Sequence, residues 1–165
     1  MIAALLAALV VSLSQVLGWR GVDTAAQVYR VNAFRHSGFT LWDFQWYGGH
    51  WTLSYSVLYP PLAAFLTVPV LTVASAAVAA VSFDRLVRPR FGTGGRAASV
   101  VFALGTLVPS AIGQLPFLTG LAFGLAAFWA ASSLIPLKSL SEPFSNDCTV
   151  TFSFEDLALP LAPAG

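Results

Sequence analysis

Asp23, Gln27, Arg30, Asn32, Arg35, His36, Asp43, Gln45 and His50 bring nearly all the ionisable and hydrogen-bonding side chains of the first half of the chain into one stretch, residues 19–59. Four of the five tryptophans, Trp19, Trp42, Trp46 and Trp51, lie there as well. The densest part is Thr40-Leu41-Trp42-Asp43-Phe44-Gln45-Trp46-Tyr47-Gly48-Gly49-His50, where aromatics surround polar groups and the glycine pair permits a tight turn. Aromatic rings beside acids and amides suit sugar recognition, because a pyranose offers an apolar face and a rim of hydroxyls. The tryptophans taken alone fit the aromatic belt of a membrane interface better. Asp43 and Gln45 are what make a binding role competitive with the belt.

Asp23 directly precedes Thr24-Ala25-Ala26-Gln27, a T-x-x-Q pattern that can cap a helix start. The helix that follows is expected to run to about Ser37, with Gly38 as its stop. Val28, Val31 and Phe34 or Arg35 recur at helical spacing, so the segment reads as an amphipathic helix lying on a membrane surface with Gln27, Arg30 and His36 outward. An aspartate in that position is also an ordinary N-cap, worth about 1 kcal/mol.

The rest of the chain must position this stretch, and its composition says in what medium. Hydrophobic residues make up 57% and charged residues 9%, against roughly 25% charged in a soluble domain, and the mean hydropathy is +0.77. So few charges cannot coat a water-soluble fold. The expected class is an all-α integral membrane protein of the cell membrane, crossing it several times. Its net charge of +1 gives no reason to expect a nucleic-acid partner. The single cysteine, Cys148, cannot form an intrachain disulfide, and no Cys/His spacing resembles a zinc site.

Four apolar runs suggest spans at about residues 2–19, 57–81, 97–112 and 117–137, making residues 1–138 a membrane domain. The first run lacks both the basic start and the small-x-small end of a signal peptide. Pro60-Pro61 opens the second, where proline costs little, and Pro69 is expected to kink it. Residues 82–96 carry Arg85, Arg88, Arg90 and Arg96 against Asp84 alone, which marks a cytoplasmic loop and puts the large loop 19–56 on the exoplasmic side. Lys138 agrees with that orientation. Gly120 and Gly124 form a GxxxG in the fourth run, a spacing that lets helices approach closely. Residues 139–165 change character: acids appear, 149–154 alternate like a short strand, and the end is Pro-rich. This part reads as an irregular, poorly ordered tail, as a truncation or frame change in a longer gene would produce.

The segment GVDTAAQVYRVNAFRHSGFTLWDFQWYGGHWTLSYSVLYPPL, with Gly-Gln-Leu-Pro-Phe at 113–117, resembles bacterial polytopic membrane proteins related to the GT-C glycosyltransferases. That group includes membrane proteins labelled 6-pyruvoyl-tetrahydropterin synthase-related, and the second motif is similar to actinobacterial members. The resemblance covers about the first 137 residues. It implies transfer of a sugar from a polyprenyl-phosphate carrier to an exoplasmic acceptor. Asp23 would then be the general base or a metal-linked carboxylate, with Asp43 the second choice. Arg30 or Arg35 would face the lipid phosphate through bidentate pairing. Gln45, Trp46, Tyr47 and His50 would contact the sugar. His36 and His50 are the side chains able to ligate a divalent metal or shuttle a proton, and whether a metal is needed stays open. Four spans are few for this group, so an inactive fragment is one expectation. A non-catalytic four-span protein that packs with a partner membrane protein is the alternative. A transporter component is disfavoured because no ionisable residue falls within an expected span.

Overall fold

The computed structural model describes residues 1–43, 48–53 and 56–134. In chain order these form α1 (Ile2–Val16), α2 (Thr24–Ser37), β1 (Trp42–Asp43), β2 (Thr52–Leu53), α3 (Tyr59–Leu66), α4 (Val68–Gly105), α5 (Leu107–Ile112) and α6 (Leu115–Leu134). The fold is all-α apart from the two short strands, which pair antiparallel with Trp42 opposite Leu53 and Asp43 opposite Thr52. Gly48 and Gly49, between the strands, take φ of 61° and 90°, a region open to glycine at no steric cost. The chain divides into a unit Met1–Ala131 and a second from Ser132 onward. Of the second, only residues 132–134 are described, as the end of α6. The expected tail 139–165, with Cys148, lies outside the described residues.

In the first unit many large apolar side chains face out while small ones fill the closest helix contacts. Along α1 the inward positions are Ala3, Ala7, Val11 and Ser14, while Leu5, Leu9, Leu13 and Val16 face out. The small α1 face meets Ala76 and Ala80 of α4, Ala103 farther along α4, and Leu118 of α6. Small residues let helix backbones approach closely, which is how helices pack where hydrophobic burial supplies no driving force. The buried hydroxyls are satisfied locally: Ser14 donates to the Val11 carbonyl at 2.8 Å, Thr72 to Val68 at 2.7 Å and Ser99 to Gly95 at 2.8 Å. Thr119 gives its proton to Leu115, so Ser75 is the donor in the 3.1 Å bond joining α4 to α6. Outside these contacts the surface carries Phe65, Phe117, Phe123 and Phe128, all more than half exposed.

Two helices are long and apolar enough to cross a membrane: Val68–Ile112, counted through α5, and Leu115–Leu134. The first is not straight. At Gly92 the backbone leaves helical geometry (φ 53°, ψ −117°), and the two limbs of α4 fold back on each other. Phe83 stacks on Phe102 across them, with ring centroids 4.2 Å apart, and a Cβ on Gly95 would press into the Val87 carbonyl at 2.8 Å.

Several expected boundaries move. The expected 2–19 span is helical only to Val16, with Leu17 as its C-cap. The run 57–81 is two helices rather than one kinked helix. Thr67, a non-glycine residue at φ 72°, ends α3, and Pro69 falls in the first turn of α4, where its missing amide costs nothing. The arginine segment 82–96 is helical on both sides of Gly92 rather than an open loop, and Pro89 is accommodated inside it. Leu115 and Pro116 belong to α6 instead of linking two runs.

A second apolar cluster joins Val31 of α2, Tyr59 and Ala63 of α3, Leu71 of α4 and Leu115 of α6. This packing corrects the expected orientation of α2. Gln27, taken as outward, is 1% exposed on the buried face beside Val31, while Val28 is exposed. Tertiary packing against α3 overrides the weak apolar periodicity of the helix.

Candidate functional site

A cleft is assembled where α2, the β-hairpin and the start of α3 converge. Positions four apart on α2 form two adjacent stripes facing it, Tyr29, Ala33 and Ser37 on one and Arg30 and Phe34 on the other. Gly38, at φ 70°, stops the helix and turns the chain toward Phe39 and Thr40, and β1 adds Trp42 and Asp43. Pro60 and Pro61, in the first turn of α3, close the remaining side. The cavity has a volume of about 230 Å³.

Its central polar contact is a hydrogen bond of 3.0 Å from the Tyr29 hydroxyl to Asp43 Oδ1. Partial burial, and then the hydrogen bond and negative charge of Asp43, hold the phenol above its ordinary range. Tyr29 therefore stays protonated and donating at neutral pH. A phenol that cannot ionise there fixes the orientation of the carboxylate, and Arg30 brings a permanent positive charge to the same walls.

Of the residues singled out by the sequence, the cleft brings together Arg30 and Asp43. Asp23 does not line it. Its main chain is docked elsewhere, the amide donating to the Ile112 carbonyl at 3.3 Å, and its side chain makes no capping hydrogen bond at the start of α2. The expected N-cap role is thus not realised by the carboxylate. Arg35 also faces away, donating to the Ala64 carbonyl at 3.2 Å. That carbonyl is one of the last four of α3, left without a helical partner when the chain breaks at Thr67. His36 donates from Nδ1 to the Asn32 carbonyl one turn back at 2.8 Å, and His50 is exposed. Gln45, Trp46 and Tyr47 lie outside the described residues. Among the described residues, no three His, Cys, Asp or Glu side chains gather as a metal site would need.

No protein-family model, curated protein or solved structure matches this chain.

Two residues acquire a place that the sequence did not suggest. Tyr29 is the partner of Asp43, and the signal for it was its position one helical turn before Ala33, on the stripe that faces the hairpin. Asp84, read as the lone acid of a basic loop, is 3% exposed within α4. Its Oδ1 lies 3.4 Å from Arg88 Nε at i,i+4, and its Oδ2 lies 3.9 Å from the Met1 nitrogen.

Proposed function

We propose that this chain is a multi-pass protein of the cell membrane whose cleft at residues 29–61 handles a lipid-linked sugar, in the manner of GT-C glycosyltransferases. Four crossings follow if Gly92 is the turn between two spans. At about 1.5 Å per residue, the apolar parts of the two limbs, 68–83 and 97–112, are each about 24 Å long against an apolar thickness of about 30 Å, with the arginines and the Gly92 turn at the membrane surface, and α1 and α6 flank them. The large side chains turned outward and the hydroxyls turned inward support a nonpolar surrounding.

The two polar zones lie at opposite ends of these helices. Met1 is close to Asp84 at the arginine end, whereas Gln15, about 20 Å farther along α1, donates to Ser110 of α5 at 3.2 Å. Beyond it comes the segment that leads to the cleft. On the arginine count, the cleft is exoplasmic.

The observation carrying the functional reading is the Tyr29–Asp43 pair held beside Arg30 in an aromatic-walled cleft. In the proposed step, Asp43 takes the proton of an acceptor hydroxyl as its oxygen bonds to the sugar's anomeric carbon. The bond from that carbon to the phosphate oxygen breaks, and the phosphate leaves with the electron pair, its charge met by Arg30. Phe34, Phe39 and Trp42 offer faces to the sugar ring. Asp43 replaces Asp23 as the favoured base because it lines the cavity.

The test is sugar transfer by the purified chain from a polyprenyl-phosphate sugar to an added acceptor. Asp43→Asn should lower the rate by at least about a hundredfold, within the range expected of a general base, while Asp23→Asn should leave most of it. Loss on Asp23→Asn with Asp43→Asn active would reverse the assignment. The alternative, a non-catalytic protein packed with a membrane partner, draws on Gly120 and Gly124, beside which there is open space on α6. An inactive wild-type chain that co-purifies with a partner, released by Gly120→Leu, would favour it.

A further inference from the structure

Among the described residues, the end of the α4 hairpin opposite the cleft gathers four arginines against one acid, Asp84. Arg85, Arg88, Arg90 and Arg96 are all exposed there, and Asp84, the acid among them, is buried and engaged by Arg88. Three of the four are held in place, Arg90 by its own helix and Arg85 and Arg88 by the residues around them. Arg85 lies over the Trp129 ring of α6, with its guanidinium carbon 5.3 Å from the ring centroid, within the range of a cation–π contact. Arg88 is tethered through Nε to Asp84 at 3.4 Å, a contact that uses the inner edge of the guanidinium. The other two differ: Arg90 turns back to the Leu86 carbonyl at 2.6 Å, and Arg96 stands beyond the Gly92 turn.

Arg85 and Arg88 are at i,i+3 on one helix, so their Cβ atoms lie about 5–6 Å apart. That spacing suits two forks converging on one phosphate, and the planar guanidinium is the side chain best shaped to take it. An aromatic ring half in apolar surroundings completes the arrangement: Trp129 is flanked on α6 by the exposed Phe128.

We propose that Arg85, Arg88 and Trp129 form a binding site for the headgroup phosphate of an anionic phospholipid, with the acyl chains along α6. This inference rests on the membrane reading but not on sugar transfer. Charge complementarity carries it: a fixed pair of guanidiniums at the membrane boundary faces the surface where anionic lipids supply the counter-charge. Asp84 is a positioning residue that orients Arg88 and takes no part in the contact.

The experiment is native mass spectrometry of the full chain in detergent, titrated with phosphatidylglycerol and, separately, phosphatidylcholine. Phosphatidylglycerol should bind at least tenfold more tightly. At about fivefold per arginine near a lipid surface, Arg85→Gln/Arg88→Gln should weaken it about thirtyfold, while Arg90→Gln/Arg96→Gln, an equal loss of charge, should weaken it less than fivefold. If Arg88→Gln leaves the buried Asp84 carboxylate destabilising the fold, adding Asp84→Asn to both double variants removes that charge and keeps their net charges equal. Equal losses in the two double variants would mean a diffuse field instead of a site. Displacement of the lipid by millimolar inorganic phosphate would mean a soluble phosphate site, and equal binding of phosphatidylcholine would mean plain apolar contact; each overturns the proposal. Sugar transfer retained by Arg85→Gln/Arg88→Gln separates this result from the fate of the cleft.

Discussion

Tyr29 of α2 donates its phenolic hydrogen to Asp43 of β1 across 3.0 Å, and this bond ties α2 to the hairpin on the other side of the cleft. Its pH behaviour follows from the sign of the shift. Burial and Asp43 raise the Tyr29 pKa above its ordinary value, so the folded chain holds that proton more tightly than the unfolded one. The stability it contributes is complete below about pH 10, the unfolded value, and is lost as pH rises through the folded pKa. Tyrosinate absorbance should show a late-titrating component that Tyr29→Phe removes and Asp43→Asn moves toward the normal range. An unchanged titration curve in Tyr29→Phe would refute the assignment.

The seam between residues 21–24 and the end of α5 sets a second expectation. A Cβ on Gly21 would overlap the main chain of Ile112, and one on Gly113, already at φ 90°, would overlap Thr24. Backbone cannot yield as a side-chain tip can, so Gly21→Ala should destabilise by about 1–3 kcal/mol, as overpacking does. Gly94→Ala, with open space around it and no positive φ, should be neutral or stabilising by a few tenths to about 1 kcal/mol. Thermal unfolding in detergent compares the two.

The hairpin at Gly92 gives a third. With φ 53° and ψ −117° it occupies a region that L side chains rarely adopt, at a cost of about 1–3 kcal/mol for a residue with a Cβ. Gly92→Ala should lower the melting temperature, and Gly95→Ala should too, by wedging the limbs apart at Val87 and Arg88. A Gly92→Ala variant as stable as the parent would mean that the limbs need not fold back there.

Arg35 offers a milder test. It is exposed and bonded to a terminal carbonyl of α3, so it acts on the negative end of that helix. Arg35→Gln should cost about 0.3–1 kcal/mol and Arg35→Lys less, with no effect on sugar transfer. A collapse of transfer with stability intact would instead give Arg35 the phosphate role expected from the sequence.

How much of this was legible beforehand depends on whether local chemistry decided it. The stop of α2 at Gly38 and the helical start at Pro60-Pro61 follow from punctuation residues, whereas α2 starts after Asp23 without the capping bond its sequence suggested. The low charge and long apolar runs gave the all-α class. Three-dimensional relations did not show. Thr67 breaks the chain with no glycine to announce it, and Pro89 sits inside a helix that its presence argued against. Gln27 faces inward because α3 covers that side of α2. In the cleft, Asp43 was visible as an acid among aromatics, but its partner Tyr29 came from a helix fourteen residues away. Asp23 drew attention by its place in the chain, which said nothing about which wall its carboxylate would face.

The ends of the helices give the last prediction. Met1 near Asp84 and Gln15 near Ser110 fix the direction of α1, and the hydrogen bond from Asp23 to Ile112 puts the approach to the cleft at the far end from the arginines. A single cysteine placed at Gly49, in a chain whose Cys148 is changed to serine, should therefore react with a membrane-impermeant thiol reagent in intact cells, and one at Gly94 should react only after lysis. In the proposed arrangement the positive-inside rule puts the Gly94 side in the cytoplasm. Labelling of both positions from outside would put the two polar zones on one face and contradict the bilayer arrangement. Labelling of Gly94 alone would keep the spans but turn the cleft toward the cytoplasm, where an exoplasmic acceptor could not reach Asp43.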